Sequence, residues 1–422
     1  MTRDDALGRR SLRDRSPLSR TAGEGNAGAG YLLTAAAVRE RCGQVFAAAE
    51  KGETRHFRLV PQCLDDAVDR VIVVTRRRYP DMQVPFHSRW RHFLAAGVNR
   101  TGLIAPGADP AEWARARLDL AIVSVLLDAG AGRFWQYREA ETGLSIGRSE
   151  GLAVASLRAM QTGLFSADPR QPWRADAAAL AALTADELGT AFQDAPGNKL
   201  GALEGRAALL RRLGEVAAGR PELFGTPARL GNLYDHWLPR RAGLPAPDLL
   251  RLVLRAFGPI WPGRLTLEGV PLGDCGRHPA VPGDGLVPFH KLSQWLVYSL
   301  IEPLADAGFH ITDIDGLTGL AEYRNGGLFL DCGVLELRDP GLAQRSLEPF
   351  SEAVVEWRAL TVILLDRLAE RVRHRLGVTA ADFPLAKVLE GGSWAAGREI
   401  AAERRPPDGS APLSIVSDGT LF

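Results

Sequence analysis

The chain has 422 residues and almost no net charge, since 51 basic and 50 acidic residues leave a formal +1. A surface so balanced offers no backbone-tracking field for DNA or RNA, so nucleic acid is not an expected partner. Cysteine is sparse: Cys42, Cys63, Cys275 and Cys332 stand far apart, with no CxxC and no Cys/His spacing that would hold zinc. This excludes a disulfide framework and gives no reason to expect a metal or other cofactor; reduced thiols in a cytoplasmic protein are the expectation. Long hydrophobic runs are missing too. The longest, Leu120 to Leu127, is too short for a bilayer and reads as a buried helix segment, so no membrane span is expected. No secretory h-region and no internal repeat of useful period is visible.

What is there begins after a polar stretch. Residues 1–30 alternate Arg, Asp, Ser and Gly without an apolar period, and a disordered tail is expected. From there to residue 422 the pattern reads as one unit of predominantly helical α+β class. Apolar spacing predicts helices from Tyr31 to a stop at Gly52, from Leu64 to Arg78, from Ala111 to Leu127 and from Glu352 to Leu376. Short strands are expected on either side of the turn Glu141 to Gly143, around Leu265 to Cys275 and at Leu413 to Val416, with Leu421 and Phe422 packed. The Ala/Leu-rich region from Ser166 to Asp248 reads as scaffold.

The stretch from Asp284 to Asp331 carries the chemistry. Leu292, Leu296, Val297, Leu300, Ile301 and Leu304 recur at helical spacing, while Lys291, Gln294, Trp295, Tyr298 and Glu302 fall on the opposite side. Such a stripe is either a solvated face or the wall of a site. Asp313, Asp315, Glu322, Tyr323, Arg324 and Asp331 follow at once among glycines, and this favours a site. Upstream, V-P-F-H-S-R-W-R-H-F supplies Arg89 and His92 as anion- or substrate-lining candidates. In G-R-S-E-G, Ser149 is a candidate N-cap next to Arg148. Asp274, Arg277 and His278 either face the same cavity or stabilise turns.

Several motifs then combine: H-S-R-W-R-H-F, L-L-D-A-G-A-G, G-R-S-E-G-L-A-V-A-S, D-G-L-V-P-F-H-K-L-S-Q-W-L, T-D-I-D-G-L-T-G-L-A-E-Y-R-N-G-G-L-F-L-D and S-D-G-T. Over nearly the whole chain after residue 30 they resemble the uracil-catabolism proteins of fungi and bacteria, long described as a domain of unknown function. The pathway this resemblance implies converts uracil to its nucleotide, opens the ring with a cyclohydrolase-like enzyme, and releases urea from a ribosylurea-type intermediate. More distantly, H-K-L-S-Q followed by L-T-G-L-A-E-Y-R is similar to queuosine-nucleotide salvage glycosidases, which implies a DNA-glycosylase-like helical core. That likeness reaches Lys291, Gln294, Tyr323 and Arg324, with Glu322 standing where those enzymes have Asp.

The expected chemistry is hydrolysis of an N-glycosidic bond through an oxocarbenium-like state. Glu322, Asp315 or Asp313 can supply the carboxylate, and Lys291 can hold a phosphate or polarise the leaving group. His290, Gln294, Trp295, Tyr298, Tyr323 and Asp331 are candidate substrate contacts. Arg324, Arg89 or Arg148 suits a 5′-phosphate. Two other readings stay open: an amidohydrolase or isomerase on the ring-opened intermediate, and a non-catalytic partner of the pathway's cyclohydrolase.

Overall fold

Two long apolar helices lie at the centre. The Pro110–Leu126 helix starts where Asp109 accepts the N–H groups of Ala111 and Glu112 and Pro110 fixes the first turn. Beyond that turn it buries residues on every side, from Leu118 to Leu126. It packs on the Lys291–Asp306 helix, which is buried all round from Gln294 to Ile301. The polar stripe of that second helix is therefore no solvated face: Gln294, Trp295 and Tyr298 lie inside the protein. Each fully buried aliphatic here contributes about 1.5–3 kcal/mol of transfer free energy.

The computed structural model describes residues 28–132, 134–261 and 265–416. The expected tail up to residue 27, the S-D-G-T motif and the Leu421–Phe422 end lie outside them. Among the described residues the architecture is helical, with strands of two or three residues joined only in pairs, as the α+β expectation holds. Phe57–Leu59 runs antiparallel to Leu335–Leu337, Gln136–Arg138 to Ser145–Gly147, and Cys275–Arg277 to Leu286–Pro288. Ser346–Leu347 and Ser414–Ile415 are parallel. No described helix is long and apolar enough to cross a membrane.

A second layer is built on the Glu352–Leu376 helix, which packs against the helices Ala35–Glu50, Leu64–Arg78 and Tyr323–Asp331. One hydrophobic cluster extends from Leu33 to Leu413 and includes both layers. Close helix crossings are permitted by glycine. A Cβ on Gly397, in the Trp394–Arg404 helix, would stand 2.2 Å from the carbonyl oxygen of Arg324, and one on Gly326 would stand 2.7 Å from the Trp357 ring. Substitution at either glycine would push the Tyr323–Asp331 helix off its neighbours.

Candidate active site

The site is organised from behind by one ion pair. Arg358, in the Glu352–Leu376 helix, grips the Asp274 carboxylate in a fork, Nη1 to Oδ1 at 2.8 Å and Nη2 to Oδ2 at 2.7 Å, with both side chains buried. Burial alone would raise the Asp274 carboxyl. The charge and hydrogen bonds of Arg358 outweigh it and hold the group at about 2. The same carboxylate accepts the backbone N–H of Lys291 at 3.0 Å, capping the first turn of the Lys291–Asp306 helix. Arg358 Nε also donates to the carbonyl of Ala321 at 3.2 Å, one residue before Glu322. Lys291 and Glu322, which belong to different elements, are thus fixed by one guanidinium.

Both side chains line a cavity of about 380 Å³. Glu322 sits at the N-cap of the Tyr323–Asp331 helix, where its oxygens accept the N–H of Arg324 at 2.7 Å and of Asn325 at 2.6 Å. Enclosure raises the Glu322 carboxyl above the usual range despite these two donors and the nearby charge of Lys291. Enclosure likewise lowers the Lys291 ammonium, against the pull of Glu322 and Asp128. Asp128, at the end of the Pro110–Leu126 helix, is held by Arg89 at 2.8 Å and by the Ser149 hydroxyl at 2.5 Å.

Aromatic rings wall the cavity. Trp295, one helical turn beyond Lys291, has the ring of His92 at 5.7 Å and that of His87 at 6.4 Å, and both histidines also approach Trp394. Arg398 stacks on Trp394 and pairs with Glu150 at 2.9 Å. His92, Arg148, Trp394 and Arg398 also line an adjoining hollow of about 580 Å³ and so form the partition between the two. The last wall is the segment Asp408–Ser410. Arg148 Nη2 donates to the Asp408 carbonyl at 3.4 Å and Arg324 Nη1 to the Gly409 carbonyl at 2.7 Å.

Of the residues singled out in the sequence, Lys291, Trp295, Glu322, Tyr323, Arg324, His92, Arg148 and Ser149 meet in this cavity. The rest have other neighbours. Asp315 pairs with Arg373 at 2.6 Å and accepts the N–H of Leu385 at 2.6 Å. Asp313 holds a left-handed backbone at the turn before it, and Asp331 is gripped by Arg405. His290 gives a ring nitrogen to the Leu32 carbonyl at 2.7 Å. Gln294 Oε1 accepts the N–H of Thr318 at 2.8 Å, and the Tyr298 hydroxyl donates to the Thr318 carbonyl at 3.1 Å. These two side chains fasten the loop that leads to Glu322. Arg89 is wholly buried and neutralised by Asp128.

Ser149 is not the N-cap that its sequence context suggests. Gly147 takes that position, and Ser149 turns its hydroxyl to Asp128. His278 bonds Glu356 at 3.4 Å, and exposed Arg277 reaches the Asp284 carbonyl. Asp128, Glu150, Trp394, Arg398 and the Asp408–Ser410 wall were not among the candidates, although the first two lie in quoted motifs. A separate group, His56, Glu352 and Glu356, brings ligand atoms within 4.8 Å of one another, but none of the three lines the cavity.

The family described as "Protein of unknown function (DUF1688)" matches residues 31–422. Protein urg3 of Schizosaccharomyces pombe is 40 % identical over 401 residues, covering 93 % of this chain and 98 % of that protein. Uracil catabolism protein 4 of Lachancea kluyveri is 37 % identical over 435 residues, with 93 % and 98 % covered. With a match of that extent, and relatives aligned over nearly their full lengths, the chain belongs to the DUF1688 family, as its motifs led us to expect.

Proposed function

We propose that this protein acts in uracil catabolism, as the name of its Lachancea kluyveri relative says of that protein, and that it hydrolyses the N-glycosidic bond of a ribosylurea-type or modified pyrimidine nucleotide. The observation that carries the reading is the meeting of Glu322 and Lys291 in one cavity, each shifted toward its neutral form by burial.

Breaking a ribosyl C–N bond builds positive charge on the sugar and negative charge on the departing nitrogen. Glu322, whose oxygens are aimed by two backbone donors, faces the sugar as its carboxylate and either stabilises that charge or takes a proton from the attacking water. Lys291 supplies a proton or a positive charge to the leaving side. Trp295, almost wholly buried, shields one side of the reacting centre, and the more exposed Tyr323 lines the cavity beside it. Arg148 and Arg324 converge on consecutive residues of the Asp408–Ser410 wall, and a 5′-phosphate offers oxygens to both guanidinium groups.

The test is incubation of purified protein with ribosylurea, its 5-phosphate and UMP, followed by mass spectrometry. Urea and ribose 5-phosphate are the expected products with the wild type and are lost in Glu322→Gln. Release of ammonia with the sugar still attached would move the assignment to an amidohydrolase. Intact substrates throughout would rule the hydrolase out.

A further inference from the structure

Two nitrogen donors in the cavity wall are left over once the internal hydrogen bonds are assigned. The first is Trp295 Nε1, buried and without a hydrogen-bond partner, on a side chain that lines the cavity and is only 5 % exposed. An indole N–H can only donate, and leaving it unpaired in a dry site costs about 1–3 kcal/mol. The second is on His92. Its Nδ1 lies 3.1 Å from Arg89 Nη1 and 3.2 Å from the Ser149 hydroxyl; a guanidinium is a permanent donor, and beside it we assign Nδ1 as the acceptor, without a proton. The ring proton therefore resides on Nε2. A doubly protonated ring is opposed by burial and by Arg89, whose guanidinium lies beside both aromatic rings, 5.6 Å from the centre of Trp295. Donors on neighbouring rings whose centroids are 5.7 Å apart form a wall that can give hydrogen bonds and cannot receive them.

We propose that Trp295 Nε1–H and His92 Nε2–H form an oxo-recognising subsite, which holds a carbonyl oxygen of the substrate's leaving group and turns away a group that presents N–H donors at that point. The assignment rests on the glycosidase reading for its place in the reaction and extends it to the chemistry of the departing half. As the C–N bond breaks, the electron pair passes to the nitrogen and delocalises onto the adjacent carbonyl oxygen. Hydrogen bonds from the two donors to that oxygen stabilise the charge as it forms. A ureido or uracil-like carbonyl fits; an amino-substituted ring leaves two donors facing a donor.

The experiment uses calorimetric binding of ribosylurea 5-phosphate and of ribose 5-phosphate to the full chain, in a Glu322→Gln background so that the first probe survives. Adding Trp295→Phe, which keeps the ring and deletes the donor, is expected to weaken ribosylurea 5-phosphate about tenfold, roughly one hydrogen bond. The affinity for ribose 5-phosphate should stay within twofold. Equal loss of both probes, no loss of either, or a parent protein that binds both equally would overturn the proposal. Nitrogen NMR of the imidazoles gives a second readout that does not depend on the variant's folding. His92 should carry its proton on Nε2 and shift on addition of ribosylurea 5-phosphate alone; protonation on Nδ1 would sink the assignment. The two layers separate in the wild-type product assay. Probe discrimination without ribose 5-phosphate release supports the subsite and defeats the glycosidase, while release that is untouched by Trp295→Phe defeats only the subsite.

Discussion

Two acid–base pairs meet at Lys291 and differ in every respect that matters. Asp274 and Arg358 touch as a fork on a fork, bury both partners, and leave the carboxyl at about 2. Glu322 and Lys291 interact across a cavity, and enclosure drives the carboxyl up and the ammonium down. The first pair is satisfied and fixes geometry: it caps the residue that carries the ammonium and anchors the peptide before the carboxylate. The second lines a cavity with room for a ligand. The contrast is between a charge pair closed on itself and one whose two side chains open on a space that a ligand can fill.

The comparison breaks most visibly if Glu322 is dispensable. Glu322→Gln is expected to lower kcat for ribosylurea 5-phosphate about 10³-fold, roughly 4 kcal/mol of barrier, in a product-release assay. A value within tenfold of the wild type would return the pair to scaffold. Asp274→Asn takes the carboxylate out of the Arg358 fork and should cost about 3 kcal/mol of unfolding free energy in a urea titration. The sign of its pH dependence follows from a depressed carboxyl. The stabilisation is full above the unfolded value of about 3.9 and disappears as pH falls through about 2, so the variant should lose the wild type's acid-side slope in that window.

Lys291→Met is a finer cut. A fall of about 10²-fold in kcat, near 2.7 kcal/mol, is expected. The acid limb of the rate profile should also move to higher pH, because Glu322 loses the positive charge that favours its ionised form. In the wild type the profile should be a narrow bell. Activity falls on the acid side at a pH above that of a free glutamate and on the alkaline side below that of a free lysine. A plateau as wide as the free side chains allow would mean that the cavity shifts neither group. The smallest effect is set for Tyr298→Phe, which frees the Thr318 carbonyl: about 1 kcal/mol of stability in the same urea titration, with the profile unmoved.

The helices were legible because period and punctuation agreed. Leu64–Arg78 and Glu352–Leu376 end where the sequence says they should, and the turn between Gln136–Arg138 and Ser145–Gly147 falls on its glycine. The site was legible only in part. In the sequence Asp313, Asp315 and Glu322 are equivalent: three acids in a glycine-rich stretch. What separates them is supplied from far away, by Arg373 and the Leu385 N–H for Asp315 and by Arg358 behind Glu322. By its spacing the stripe of Gln294 and Tyr298 reads as solvent or substrate surface, and it is a clasp on the neighbouring loop. Among the glycines of that stretch, Gly326 is a close-packing device between helices, with the Trp357 ring where its Cβ would stand. Asp128, Trp394 and Asp408 come from distant parts of the chain, and no local pattern says that they converge. One signal was available: the chain has only four lysines, and Lys291 is the one that opens a long, largely buried helix.

Arg148 takes its place in the cavity wall from a left-handed backbone, with φ at 57°. An L-residue with a side chain gives up roughly 1 kcal/mol there relative to glycine. Heat tolerance and the cavity therefore make opposite demands on a single codon. A directed-evolution campaign scored on melting temperature alone would be drawn to Arg148→Gly, and each round would look like progress while stripping a cation from the wall. Variants of this protein need to be selected on turnover and on heat together.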